Sequence, residues 1–254
     1  VAQIFISDLD GTLIPDPGGK NQALALEEIR KRKNHNPECM LVFASGRNID
    51  LISKAIDEYR LPIPDICIAD VGTRIYTRTQ GRFTLLNKYG ETLKSIIGST
   101  GYDEVTRAVD SLPLRLQGEE NQSTFKISYT VSLKNLEDTE KALDTLLKPL
   151  PWVHISSLDH SRKFGLIDII PAGVSKSFAI EWLRTYLHKS SSDILYAGDS
   201  GNDLAVFLSD IPCIIVGNTP DGLKTEARQS KNNYIAEKKA TEGVLEGLDH
   251  FQWK

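Results

Sequence analysis

The chain has 254 residues, 40% of them hydrophobic and 25% charged, with a formal net charge of −4. Such a composition suits a globular protein of one large domain or two smaller ones. Two classes of partner are excluded: no basic block points to nucleic acid, and no apolar run approaches the roughly 20 residues that span a bilayer.

The first strand-like run, Ile4–Ser7, begins so near residue 1 that no signal peptide is expected. It leads straight into Asp8-Leu9-Asp10-Gly11-Thr12. A buried parallel strand carries a near-continuous apolar run, and its carboxyl end is where open α/β sheets build their sites. Carboxylates at i and i+2 share a face of an extended chain and repel unless a cation lies between them. The spacing then predicts a helix over 21–33, where Leu24, Ile29 and their neighbours alternate with Glu and Lys, and a strand over 40–44 that ends in Ser45-Gly46-Arg47. A helix over 49–59, a strand over 65–69 and a turn at Gly72-Thr73 into a small hairpin follow. This β/α alternation predicts a parallel sheet with crossover helices.

The pattern changes after residue 81. A helix is expected over 102–111, strands over 114–117 and 125–131, a helix over 136–147, and strands over 152–156 and 166–170. Helix-strand-strand-helix-strand-strand predicts an α+β insert on an antiparallel sheet, with 166–170 able to join either layer. From Ser175 the alternation returns: helix 175–187, strand 194–197, helix 203–208, strand 213–216, a helix from Pro220 and a last one over 240–248. The expected fold class is therefore α/β, with a core formed by 1–81 and 166–254 and an inserted domain over 82–165.

Cys39, Cys67 and Cys213 are odd in number and widely spaced, which predicts buried free thiols and a reducing cytoplasm. His35, His154, His160, His188 and His250 show no ligand spacing and are expected to be surface or structural residues.

Three further stretches stand where strands give way to helices: Ser45 after 40–44, Lys176 at the start of 175–187, and Gly198-Asp199-Ser200-Gly201-Asn202-Asp203 after 194–197. Two carboxylates, an amide and two glycines in six residues make a costly loop without a structural need. Asp8, Asp10, Asp199 and Asp203 would gather at one sheet edge, and oxygen ligands without Cys or His favour Mg²⁺, completed by a substrate phosphate. A lysine, a serine hydroxyl and backbone N–H groups of glycine-containing loops suit phosphate oxygens. A carboxylate beside the cation can act as nucleophile, and its neighbour two residues on as general acid and then base.

These four stretches, in this order, resemble the motifs of the phosphatase branch of the haloacid dehalogenase superfamily. The resemblance implies a Rossmann-like core, Asp8 as nucleophile, Asp10 as acid/base and Lys176 as a third catalytic residue. It implies Mg²⁺ on Asp8, the Asp10 carbonyl and Asp199 with Asp203 in support, and phosphate held by Thr12, Ser45, Gly46, Lys176 and Asn202. Only about 30 residues separate Thr12 from Ser45, whereas about 130 separate Ser45 from Lys176. The insert therefore resembles the α/β cap that lies between the second and third motifs of enzymes acting on small phosphorylated metabolites.

Locally, 114–117, 125–129, 167–171 and Val71-Gly72-Thr73 look similar to the sucrose-6-phosphate phosphatases. That likeness implies a small phosphorylated sugar as substrate, and Gln117, Lys126, Tyr129 and Asp168 as residues that read it. Lys126 and Tyr129 are three apart, hence on opposite faces of a regular strand: either a bulge turns one of them inward, or only one reads the sugar and the other packs, and Lys126, expected on the wet face, is the one chosen as reader. Other glycosyl or hexose phosphates (mannosylfructose phosphate, trehalose phosphate, a glycosylglycerate phosphate) stay open as substrates. So do association with an upstream glycosyltransferase and a non-catalytic phosphosugar-binding role.

Overall fold

Residues 4–7 form β1 (Ile4–Ser7), buried along its whole length, inside an eight-stranded sheet. The structure, a computed structural model, describes residues 2–15, 19–158 and 163–253; His160 lies outside them. The chain divides into two units, Val1–Leu86 with Ser175–Lys254, and Asn87–Val174.

In the first unit β1 pairs in parallel with β2 (Met40–Ala44) on one side and β10 (Ile194–Gly198) on the other. β3 (Ile66–Ala69) extends the sheet beyond β2, and β11 (Cys213–Ile215) and β12 (Asn233–Ile235) extend it beyond β10, all parallel. The hairpin of β4 (Arg74–Thr79) and β5 (Arg82–Leu85) closes one edge in the antiparallel sense. The strand order is β12-β11-β10-β1-β2-β3-β4-β5. The chain thus winds outward in both directions from β1 and β10, and their carboxyl ends form a topological switch point, where open α/β sheets hold ligands.

Apolar burial fixes this frame. Phe5, Phe43, Leu195 and Ile214 are fully covered, together with Leu13, Val244, Leu248 and Trp253. The Phe5 and Trp253 rings meet at 5.4 Å. Each such side chain contributes roughly 1.5–3 kcal/mol. α1 (Lys20–His35) buries Ala25, Leu26 and Ile29, but Leu24 turns outward and is 65% exposed. α2 (Ile49–Tyr59) is capped by Asn48, whose side chain accepts from Leu51 N at 2.9 Å. α6 (Lys176–Tyr186) is capped by Ser175, which accepts from Phe178 N at 3.1 Å. α7 (Leu204–Phe207), α8 (Asp221–Ala227) and α9 (Ala240–His250) complete the unit. β12, three residues on the sheet edge, is too short to be read from periodicity.

The second unit carries a four-stranded antiparallel sheet in the order β6-β7-β9-β8. Its strands are β6 (Arg115–Leu116), β7 (Ile127–Ser132), β8 (Trp152–Leu158) and β9 (Phe164–Pro171). β9 spans the segment that the sequence pattern leaves open between two layers; here it is an inner strand of this sheet. The helices are α3 (Asn87–Ile97), α4 (Tyr102–Val109) and α5 (Leu136–Leu147). α3 is absent from the sequence expectation. Gly90 and several residues of middling helix propensity mask it, yet Tyr89, Leu93 and Ile97, spaced four apart, are all buried. Packing of that stripe overrides local preference.

Candidate active site

At the carboxyl end of β1 the chain leaves the sheet at Asp8, whose N–H still donates to Ala197 O at 2.9 Å. A wide turn over Leu9–Leu13 follows, with Ile14 N donating back to Leu9 O at 2.9 Å. Gly11 makes it with φ +73°, and a Cβ there would lie 2.5 Å from Asp199 Oδ2. Only glycine satisfies both the left-handed backbone and the close approach of the two loops. Thr12, fully buried, donates from Oγ1 to Asp199 Oδ1 at 3.0 Å.

Lys176 opens α6 and is buried. Its Nζ donates to Asp8 Oδ1 at 2.8 Å and to Asp203 Oδ1 at 3.0 Å. An ammonium in the first turn of a helix opposes the helix dipole, so these two carboxylates are what hold it. Asp203 Oδ1 also accepts from Tyr196 Oη at 2.6 Å. Its Oδ2 accepts from Asp199 N at 3.1 Å, Ser200 N at 3.0 Å and Ser200 Oγ at 3.1 Å. A carboxylate offers about four lone-pair sites, so Asp203 is fully committed to protein donors. It sets the Lys176 ammonium and the Asp199 loop in place together.

One oxygen each of Asp8, Asp199 and Asp203 lie within 4.8 Å of one another. Burial pushes the Asp8 carboxyl up to about 7; Lys176 opposes this, and Asp203 and Asp199 add to it. Burial and Asp203 likewise push Asp199 up to about 6. Asp203 goes the other way: burial raises it, but Lys176 and the Tyr196 hydroxyl outweigh that and hold it below its ordinary value. Lys176 is lowered by burial and raised further by its two carboxylates, so it stays charged. Three converging carboxylates with one ammonium are short of positive charge. A hard divalent cation fits that deficit and that all-oxygen donor set.

The remaining core candidates stand around this group. Ser45 is fully buried at the end of β2, its Oγ accepting from Arg47 N at 3.2 Å. Gly46 and Asn202 are exposed in their turns. The Asp10 carboxylate does not join the triad; Arg47 grips it from Nε at 2.9 Å and Nη2 at 2.6 Å. Sequence reasoning missed Arg47, Tyr196 and Asn218. Asn218 Nδ2 donates to Gly11 O at 2.8 Å and Asp199 Oδ2 at 3.3 Å, while its Oδ1 accepts from Ala240 N at 2.7 Å. Arg47 stands two residues after Ser45, a usable signal; Tyr196 and Asn218 carry none.

Within the second unit, Ser128 and Asp168 face each other across β7 and β9, with Ser128 Oγ donating to Asp168 Oδ1 at 2.6 Å. Lys126 Nζ lies 3.9 Å from the same oxygen. Lys126 is buried rather than on a wet face, 4% exposed, because that carboxylate compensates its charge. Gln117 donates from Nε2 to Tyr129 O at 3.0 Å. The Tyr129 side chain alternates with this group and is buried in register with Ile127 and Val131. Burial, with Tyr102 and Asp110 nearby, pushes its phenol up to about 12.

A sequence model of the sucrose-6F-phosphate phosphohydrolase family matches residues 1–252. A HAD-like hydrolase of Nitrosococcus oceani is 33% identical over 98% of this chain and 71% of its own. The mannosylfructose-phosphate phosphatase of Agrobacterium fabrum is 28% identical over 98% of this chain and 96% of its own. Among solved structures, the Synechocystis sucrose-phosphatase, crystallised with sucrose and phosphate, superposes with a TM-score of 0.78 at 25% identity, covering 99% of both chains.

Proposed function

The chain belongs to the sucrose-6F-phosphate phosphohydrolase family, sugar-phosphate phosphatases of the haloacid dehalogenase superfamily, and on that premise we propose that it hydrolyses sucrose 6-phosphate to sucrose and phosphate with Mg²⁺. Asp8 attacks phosphorus and the bond to the sugar oxygen breaks, leaving an aspartyl-phosphate. Asp10 protonates the departing alkoxide, then takes a proton from the water that attacks the same phosphorus and frees Asp8. Lys176, Ser45, Thr12, Asn202 and the Gly46 N–H hold phosphate oxygens. Asp8, the Asp10 carbonyl and Asp199 would hold Mg²⁺, with Asp203 as their support. Bound there, Mg²⁺ supplies positive charge to the phosphate oxygens and relieves the repulsion among the carboxylates.

The observation that carries this reading is the buried Asp8–Lys176–Asp203 chain beside Asp199 at the switch point. A fold with no chemistry to perform gains nothing from that arrangement. The test is phosphate release from a panel of sugar phosphates, with and without a chelator. The highest kcat/KM is expected on sucrose 6-phosphate; no turnover on any member of the panel would sink the reading. Mannosylfructose phosphate is the second substrate to try, since the Agrobacterium relative matches over almost its whole length. The reading also places the protein in the cytoplasm, where the unpaired thiols Cys39, Cys67 and Cys213 stay reduced. Association with the glycosyltransferase that makes the substrate belongs to the same picture, and co-purification tests it.

Leaving-group selectivity is assigned to the inserted segment, through Lys126, Gln117 and Asp168, with Tyr129 as packing. Lys126→Ala is then expected to raise KM for the sugar ester several-fold and to leave p-nitrophenyl phosphate unchanged. Equal loss on both esters would remove Lys126 from sugar recognition.

Asp10→Asn should separate the two kinds of ester. A sugar alkoxide needs a proton to leave and a nitrophenolate does not, so kcat/KM should fall by about 10²–10⁴ on the sugar phosphate and by less than about tenfold on the aryl one. Equal falls on the two would mean that Asp10 is not the acid.

The carboxyl shifts set a pH dependence for the metal-free protein. Asp8 titrates about 7 when folded against 3.8 ordinarily, and Asp199 about 6 against 3.8. The folded state holds these protons more tightly, so their stabilisation is complete below pH ~4 and is lost as pH rises toward ~7. Mg²⁺ competes with the same protons. Its stabilisation should be near zero at pH ~5 and should reach about 2.7 kcal/mol, several degrees in Tm, at pH ~7.5 with a hundredfold excess over Kd. A Tm shift independent of pH would place Mg²⁺ elsewhere.

A further inference from the structure

Arg47 has no part in the chemistry described so far, yet it holds both oxygens of the Asp10 carboxylate. Two guanidinium nitrogens reach the two carboxylate oxygens, Nε to Oδ2 at 2.9 Å and Nη2 to Oδ1 at 2.6 Å. This bidentate fork fixes the plane of the carboxylate as well as its position, which a lysine could not do.

The backbone that carries the fork is pinned from both sides. Arg47 N donates to Ser45 Oγ at 3.2 Å, and Arg47 O accepts from Asp70 N at 2.9 Å. Asp70 and Val71 both stand in the left-handed region, φ 52° and 59°. Such backbone persists only where the surroundings over-determine it. Gly72 follows with φ +93°, and a Cβ there would lie 2.3 Å from Ser175 O, at the start of the helix that carries Lys176. One strained loop therefore braces both the Arg47 backbone and the entry of α6. A surface ion pair needs none of this. Side-chain exposures of 24% for Arg47 and 44% for Asp10 also leave the pair open to an incoming leaving group.

We propose that Arg47 is a positioning residue for the acid/base carboxylate: its fork keeps Asp10 out of the Asp8–Asp199–Asp203 triad and presents it to the leaving oxygen. The proposal rests on the reading of Asp10 given above.

The test compares kcat/KM, which reports the chemistry up to formation of the aspartyl-phosphate, on sucrose 6-phosphate and p-nitrophenyl phosphate with Mg²⁺ present. Misplacement of a catalytic group by about 1 Å costs about 10²-fold. Arg47→Ala should lose about 10–100-fold on the sugar phosphate and stay within about threefold on the aryl ester. Arg47→Lys should recover only a small part of the loss, and Arg47→Ala combined with Asp10→Asn should be no slower than Asp10→Asn alone. Arg47→Gln, which keeps the stem, replaces Arg47→Ala if the latter does not fold.

Equal losses on both esters, full recovery in Arg47→Lys, an additive double variant, or no loss at all would each overturn the proposal. If Asp10→Asn discriminates between the esters and Arg47→Ala does not, this proposal alone falls. If Asp10→Asn does not discriminate either, the reading of Asp10 falls with it.

Discussion

Replacing Asp8 with Asn should abolish turnover while the protein stays folded. The amide matches the carboxylate in shape but cannot attack phosphorus. Loss of a covalent nucleophile costs on the order of 10⁴–10⁶-fold in kcat. Folding should survive because the site already resists a charge there: burial pushes Asp8 toward its neutral form, up to about 7. Lys176 keeps its second partner, Asp203 Oδ1 at 3.0 Å. Metal-free Asp8→Asn should therefore melt at or slightly above the parent temperature, and an acid quench during turnover should trap no phosphoprotein. More than about 1% of parental activity, in a preparation free of reverted protein, would rule out attack by Asp8.

Lys176→Met should show the largest effect on stability. The ammonium sits between Asp8 Oδ1 and Asp203 Oδ1 with 3% of the side chain exposed. Methionine nearly fills its volume but takes away the cation that Asp8 and Asp203 share, leaving Asp203 only its neutral donors from Tyr196, Asp199 and Ser200. Removing one partner of a buried ion pair costs about 3–5 kcal/mol, a large part of the stability of an ordinary domain. Mg²⁺ should return part of the loss through Asp8, so the penalty should be smaller with the cation than without it. Turnover should fall as well, since Lys176 is assigned to the phosphate. Chemical denaturation with and without Mg²⁺ reads both terms. An unchanged midpoint would show that the pair contributes no net stability.

What the sequence determined is local and chemical. Ile4–Ser7 reads as a buried strand because four successive residues suit no exposed role, and β1 has those bounds. Asp8, Asp10 and the Asp199–Asp203 loop are legible because carboxylates at strand ends are costly unless they serve something, and that cost is visible one residue at a time. Strand periodicity also determined that Lys126 and Tyr129 lie on opposite faces.

Periodicity cannot say which face is inner, and the tertiary structure decided that. Tyr129 packs in register with Ile127 and Val131, while Lys126 is buried beside Asp168, 42 positions further along the chain. The same limit explains Leu24, whose spacing suits a helix face but whose outward turn depends on where α1 meets its neighbours. It explains α3 as well, where burial of Tyr89, Leu93 and Ile97 overcame weak local propensity. The rest of the site is of this kind. Tyr196 on Asp203, Asn218 between Gly11 and Asp199, and Arg47 on Asp10 are common residue types with no local cost to betray them. Their partners lie 7, 207 and 37 residues away. Two of these contacts exist only because the sheet winds outward from β1 in both directions, which gathers the ends of β2, β1, β10 and β11 along one edge; a hydrogen bond acts over about 3 Å, so separations of that kind become contacts only in the folded chain.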